Sequence, residues 1–148
     1  MFFASDNWAG AHPRINAALG AHNSGFATAY GDSEIDRAVT QRFSEIFERE
    51  VAVFFVATGT AANVLSLTAY NKSGGIAFCH REAHLIEDEC GAAEYLSGGA
   101  RLHPVDGALG RMEPKNLERA VARFAVDNVH AGRPVSYTHL TLPTNREV

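Results

Sequence analysis

Apolar positions recur at helical spacing in two early stretches of the chain. "PRINAALGAH" (residues 13–22) opens with Pro13, a residue suited to a first helical turn. "EIDRAVTQRFSEIF" (34–47) places Ile35, Val39, Phe43 and Ile46 on one stripe, with Asp32 or Ser33 in position to cap it. The segment "NSGFATAYGDS" between them reads as loop. The period changes at residues 51–56: "VAVFFV" is an unbroken β-branched and aromatic run, which predicts a strand covered on both faces. Thr58-Gly59-Thr60 then turns the chain into a helix over "AANVLSLTAY" that ends near "NKSGG". "GIAFC" reads as a short buried strand, residues 80–99 as loop with a short helix, and "ARLHPV" as a strand. "EPKNLERAVARFA" is an amphipathic helix with Pro114 near its start. Strand and helix patterns alternate, which predicts an α/β layout.

Composition narrows the setting without changing that layout. The 148 residues are 46% hydrophobic, enough for a domain with a real core. A net charge of −4 with scattered signs gives no basic patch for nucleic acid. No apolar run approaches a membrane span, and the start "MFFASDNW" lacks the features of a signal peptide. Cys79 and Cys90 form no framework spacing, so reduced thiols and a cytoplasmic setting are expected.

Four places could carry chemistry. A strand-to-helix turn through Gly59 leaves amide N–H groups at the positive end of a helix dipole, a setting for a phosphate or carboxylate; an ordinary capped loop uses the same residues. "CHREAHLIEDE" offers His80 and His84, four residues apart, a spacing that suits zinc on a helix. His80 directly follows a strand, and no third ligand is evident, so no metal site is expected. "FASDNWAG" and "AYGDSE" are caps or turns on local reading.

The order of these blocks is more informative than any one of them. "SDNWAGAHPRINAAL", "AYGDSE", "ATGTAANVLSL", "AHLIEDECGAAEYLSGGARL" and "NVHAGRPV" together resemble the threonine aldolase family, within the β-eliminating lyases that use pyridoxal 5'-phosphate (PLP). The resemblance covers residues 3–135. It implies the N-terminal part of an aspartate-aminotransferase-type (fold type I) large domain, with a mainly parallel sheet and flanking helices, incomplete in this chain. Residues 1–135 would be that partial domain. By the same resemblance Thr58, Gly59 and Thr60 hold the cofactor phosphate. His84 would stack on the pyridine ring and assist with the substrate hydroxyl, and His130 would be a second active-site histidine. Ser5 would contact the amino-acid carboxylate, and Tyr30 would reach a neighbouring subunit's site, which implies a homodimer or homotetramer. His80 receives no role and is expected to tolerate alanine.

The implied reaction is retro-aldol cleavage of a threonine-like β-hydroxy amino acid to glycine and an aldehyde, with the cofactor as electron sink. A β-eliminating lyase of another amino acid and a non-catalytic dimerisation or binding fragment are the rival readings. Two further expectations concern completeness. The only lysines are Lys72 and Lys115, and Lys72 lies twelve residues, or about 18 Å of helix, beyond Thr60. The lysine that anchors the cofactor is therefore expected outside this chain, and the fragment is expected to be inactive. Finally, "VSYTHLTLPT" resembles a translated sequencing-adapter end, so residues 136–148 are read as a non-native tail, although their alternation also suits a strand.

Overall fold

The computed structural model describes residues 8–124 and 130–138. The chain divides into two compact units, residues 1–55 and 56–148.

In the first unit, α1 (Pro13–His22) begins with Pro13 in its first turn, and His12 caps it by accepting from the Arg14 amide. Helix α2 (Glu34–Ile46) is held at its start by a reciprocal box. The Ser33 hydroxyl accepts from the Asp36 amide while the Asp36 carboxylate accepts from the Ser33 amide. The Ser33 hydroxyl also donates to the Asp36 carboxylate at 2.6 Å, and this bond, followed by that from the Ser33 amide, holds the Asp36 carboxyl below its ordinary range. Of the two expected caps, Ser33 serves, and Asp32 instead pairs with Arg37 at 2.8 Å. The stripe of α2 forms as the spacing requires, yet Ile35, Phe43 and Ile46 remain exposed.

The second unit carries the sheet. Thr58 caps α3 (Gly59–Tyr70), which leads to the strand β1 (Gly75–His80). Two short helices follow, α4 (His84–Glu87) and α5 (Ala92–Leu96), then β2 (Arg101–Val105). After a 3₁₀ turn at Ala108–Gly110 come α6 (Pro114–Ala122) and β3 (Arg133–Thr138). The three strands are parallel in the order β2-β1-β3. Every residue of β1 is buried. On one face Cys79 packs with Val64, Ala83, Leu85 and Ala93; on the other, Ile76 and Phe78 pack with Val105 and Ala120. Burial pushes the Cys79 thiol up to about 12, so it behaves as a small apolar group; Glu94 adds to the shift. Gly132 lets β3 approach closely, because a Cβ there would lie 2.7 Å from Ile76 Cδ1.

One expected element is absent. Residues 51–56 form no strand, and Phe54 and Phe55 are 83% and 73% exposed. β-propensity is realised only against a partner strand, and residues 51–56 pair with none of the described strands. At the far end, Ser136–Thr138 complete β3 beside β1, with Tyr137 59% exposed. Leu140 and Leu142, in the stretch read as a non-native tail, lie outside the described residues.

His103 on β2 meets Phe78 and Phe124 edge to face, within reach of three guanidinium groups. Its proton affinity is lowered first by burial and then by Arg123, Arg101 and Arg81. The unfolded chain takes up a proton near the ordinary value of 6.5, whereas the folded chain resists it to lower pH. The contribution is therefore whole above that value and is lost as the pH falls below it. Thermal melts at about pH 7.5 and 5.5 are expected to show an acid loss that His103→Phe reduces. An undiminished loss in the variant would assign the acid sensitivity elsewhere.

Candidate active site

The carboxyl ends of β1 and β2 are latched together before any ligand is considered. His80, the last residue of β1, is buried and uses both ring nitrogens. Its Nδ1 accepts from the Glu82 amide at 3.1 Å, so Nε2 carries the proton and donates to the Gly107 carbonyl at 3.0 Å. The Arg81 amide donates to Val105, and its side chain pairs with Asp106 at 2.6 Å. That bond and charge hold the Asp106 carboxyl below its usual range and raise Arg81.

Beyond this latch the chain turns into α4, and His84 sits at its first position. His84 Nδ1 lies 3.0 Å from Glu89 Oε1. The same oxygen accepts from Asn63 Nδ2 on α3 at 2.7 Å. The Glu89 side chain is fully buried, that of His84 is one-quarter exposed, and Glu89 Oε2 has no hydrogen-bond partner among the described residues. Because Oε1 accepts from both sides, Nδ1 of His84 is the protonated nitrogen, and Nε2 keeps its lone pair when the ring is neutral.

Asn63 lies three residues after Thr60, on the same side of α3, and helical side chains lean toward the N-terminus. Glu89 therefore ties His84 to the first turn of α3. At that turn the Thr58 hydroxyl accepts from the Ala61 amide at 3.1 Å, and the Thr58 carbonyl takes the Ala62 amide. The amides of Gly59 and Thr60 find no partner among the described residues. Two free N–H groups, the dipole end of a twelve-residue helix and a Thr58 hydroxyl still able to donate its own proton suit a phosphate. This donor set fits the phosphate of PLP.

Of the other expected site residues, His130 falls elsewhere in the second unit. His130 occupies an exposed turn just before β3, whose first residue pairs with Gly75 at the amino end of β1. His84 follows the carboxyl end of β1. The two histidines thus lie at opposite ends of a six-residue strand, roughly 20 Å long, and the structure does not bring them together. Tyr30, in the first unit, is fully exposed in a left-handed turn with φ 64°. Ser5 lies outside the described residues. Sequence reasoning missed Asn63 and Glu89. The run Glu87-Asp88-Glu89 does signal a carboxylate near His84, but α4 stops at Glu87, so helical spacing could not select which one turns inward.

The profile of the family described as beta-eliminating lyase matches residues 3–145. The chain belongs to the beta-eliminating lyase family. It is 38% identical over 132 residues to the low specificity L-threonine aldolase of Pseudomonas aeruginosa, a match covering 89% of this chain and 38% of that protein. The enzyme of the same name from Escherichia coli is 29% identical over 104 residues, covering 70% of this chain and 30% of its own length. A solved structure of Leishmania major threonine aldolase superposes with a TM-score of 0.79 at 21% identity, over 89% of this chain and 38% of that one. That likeness establishes the shared α/β fold. The chain spans less than two fifths of the length of these relatives.

The latch corrects one expectation: His80 is not a position that tolerates alanine. His80→Ala removes two partly buried hydrogen bonds and leaves a cavity at a buried position, and is expected to cost about 2–4 kcal/mol. Urea unfolding of the variant tests this, and an unchanged midpoint would contradict it.

Proposed function

We propose that this chain is the amino-terminal part of a PLP-dependent lyase that cleaves a threonine-like β-hydroxy amino acid to glycine and an aldehyde. The observation that carries the reading is the hydrogen-bonded line from His84 through Glu89 to Asn63, beside the unpartnered amides of Gly59 and Thr60. Family membership and the named aldolases among its relatives support the reaction class.

In this reading Gly59 and Thr60 donate to the cofactor phosphate, with the Thr58 hydroxyl as a third donor. PLP supplies the electron sink for the carbanion formed when the Cα–Cβ bond breaks. The chain's own contribution is placement and proton transfer. His84 would orient the bound cofactor with its ring and present Nε2 as acceptor for the substrate hydroxyl proton. Ser5 would contact the substrate carboxylate, and Tyr30 would serve a neighbouring subunit in a homodimer or homotetramer. Lys72 follows the C-terminal end of α3 and Lys115 lies in the first turn of α6. These positions support the reading that the anchoring lysine lies in a longer parent and that the fragment would be inactive.

In the full-length parent, His84→Ala is expected to lower glycine-forming turnover of threonine by about 10²–10⁴-fold while cofactor absorbance is largely retained. Unchanged kinetics would remove His84 from the reaction. For the 148-residue chain, borohydride reduction with PLP should give no stoichiometric label on Lys72 or Lys115. Site-specific labelling together with threonine turnover would overturn the claim of inactivity.

A further inference from the structure

We infer that Glu89 is a positioning residue: with Asn63 it fixes His84 in the Nδ1–H tautomer, so that Nε2 is the proton acceptor turned toward the ligand. This rests on the reading of His84 given above and deepens it.

Three observations carry the assignment. First, a single carboxylate oxygen joins two elements. Oε1 of Glu89 accepts from Asn63 on α3 and from His84 on α4, at 2.7 and 3.0 Å. A ring held this way has one nitrogen committed to the protein and the other free. Second, the arrangement is a poor way to gain stability. The Glu89 side chain is fully buried, yet Oε2 has no partner among the described residues. A buried carboxylate with an unanswered oxygen is disfavoured relative to an apolar side chain of the same volume. Third, the backbone is bent to place it. Cys90 adopts φ 51°, a left-handed conformation that a non-glycine residue resists, and Gly91 follows at φ 74°. This double left-handed turn separates Glu89 from α5 and directs its side chain inward, whereas Glu87 and Asp88 remain exposed.

The chemistry explains why a charge is needed rather than a hydrogen bond of either sense. A carboxylate can only accept, so it admits one tautomer of His84. A glutamine would not enforce this: its amide oxygen at the place of Oε1 accepts from both partners as the carboxylate does, whereas its NH2 there donates to Nδ1, moves the imidazole proton to Nε2 and removes the acceptor. A buried carboxylate orients the imidazole of serine proteases in this manner, and its amide replacement there selects the wrong tautomer.

The test uses the full-length parent labelled with ¹⁵N-histidine, with His84 assigned by the signal lost in His84→Ala. In the unsubstituted protein the neutral His84 ring should show a protonated Nδ1 and an unprotonated Nε2. The opposite tautomer would overturn the proposal, whether or not any variant folds. Glu89→Leu, which leaves Nδ1 without an acceptor, should shift the population toward Nε2–H and lower kcat by about 10²–10⁴-fold, with KM for threonine little changed. Wild-type kcat in Glu89→Leu would also overturn it. If that result accompanied loss of turnover in His84→Ala, the reading of His84 would survive and the positioning role of Glu89 would fail. If His84→Ala kept full turnover while the tautomer depended on Glu89, the aldolase role of His84 would fail instead.

Discussion

The second unit depends on a strand with no exposed side. β1 has a partner at each edge and a layer of side chains on each face, and its six residues are all buried. Burying Ile76 and Phe78 completely contributes about 1.5–3 kcal/mol each. Those contacts hold β2, β3, α3 and α6 around one line. Polar groups can be tolerated in β1 only at its carboxyl end, where His80 answers both ring nitrogens with backbone partners. The same end is where ligands gather in parallel α/β sheets, because helix N-termini and loop backbone converge there. The rigid strand and the candidate site are thus consecutive parts of one segment, four residues apart.

The chain path around β1 also makes the crevice. From β1 it crosses to β2 by way of α4 and α5, on the face shared with α3. From β2 it returns through α6 on the opposite face and enters β3 on the other side of β1. Reversing direction on either side of β1 leaves an opening above its carboxyl end. Asn63, His84 and Glu89 are joined on the α3 side of β1, and the two amides without a partner among the described residues lie at the start of the same helix. His130 belongs to the opposite end of the sheet for the same topological reason: in parallel strands, a residue entering one strand cannot neighbour a residue leaving the next.

The first unit shows the complementary situation. Its caps are satisfied locally, with Ser33 and Asp36 closing a box and Pro13 starting α1, but none of the residues of α1 or α2 is buried. Helix geometry is therefore written within a few residues, while burial of the stripe through Ile35, Phe43 and Ile46 requires a surface to receive it. The run 51–56 follows the same logic. Its β-branched and aromatic composition describes a strand, and a strand exists only where another backbone offers hydrogen bonds.

The sequence by itself determined the elements whose cause is local. These are α1 from Pro13, α2 from Ser33 and its stripe, α3 from Thr58 and Gly59, β1 from its unbroken apolar run, and α6 from Pro114. The order of motifs also carried the family, because five blocks in register constrain the answer more than any block alone. Tertiary structure decided what pairing and burial decide. It gave β1 both partners and left residues 51–56 without one. It committed His80 to the backbone although His80 and His84 look equivalent in sequence, and it placed His130 at the far end of the sheet. It also chose Glu89 from among Glu87, Asp88 and Glu89. That choice depends on Asn63, twenty-six residues earlier, and on a left-handed turn at Cys90 that no residue preference would have predicted. Local spacing encodes a helix or a cap because its hydrogen bonds span a few residues. A buried carboxylate is encoded only by the groups that the completed fold brings to it.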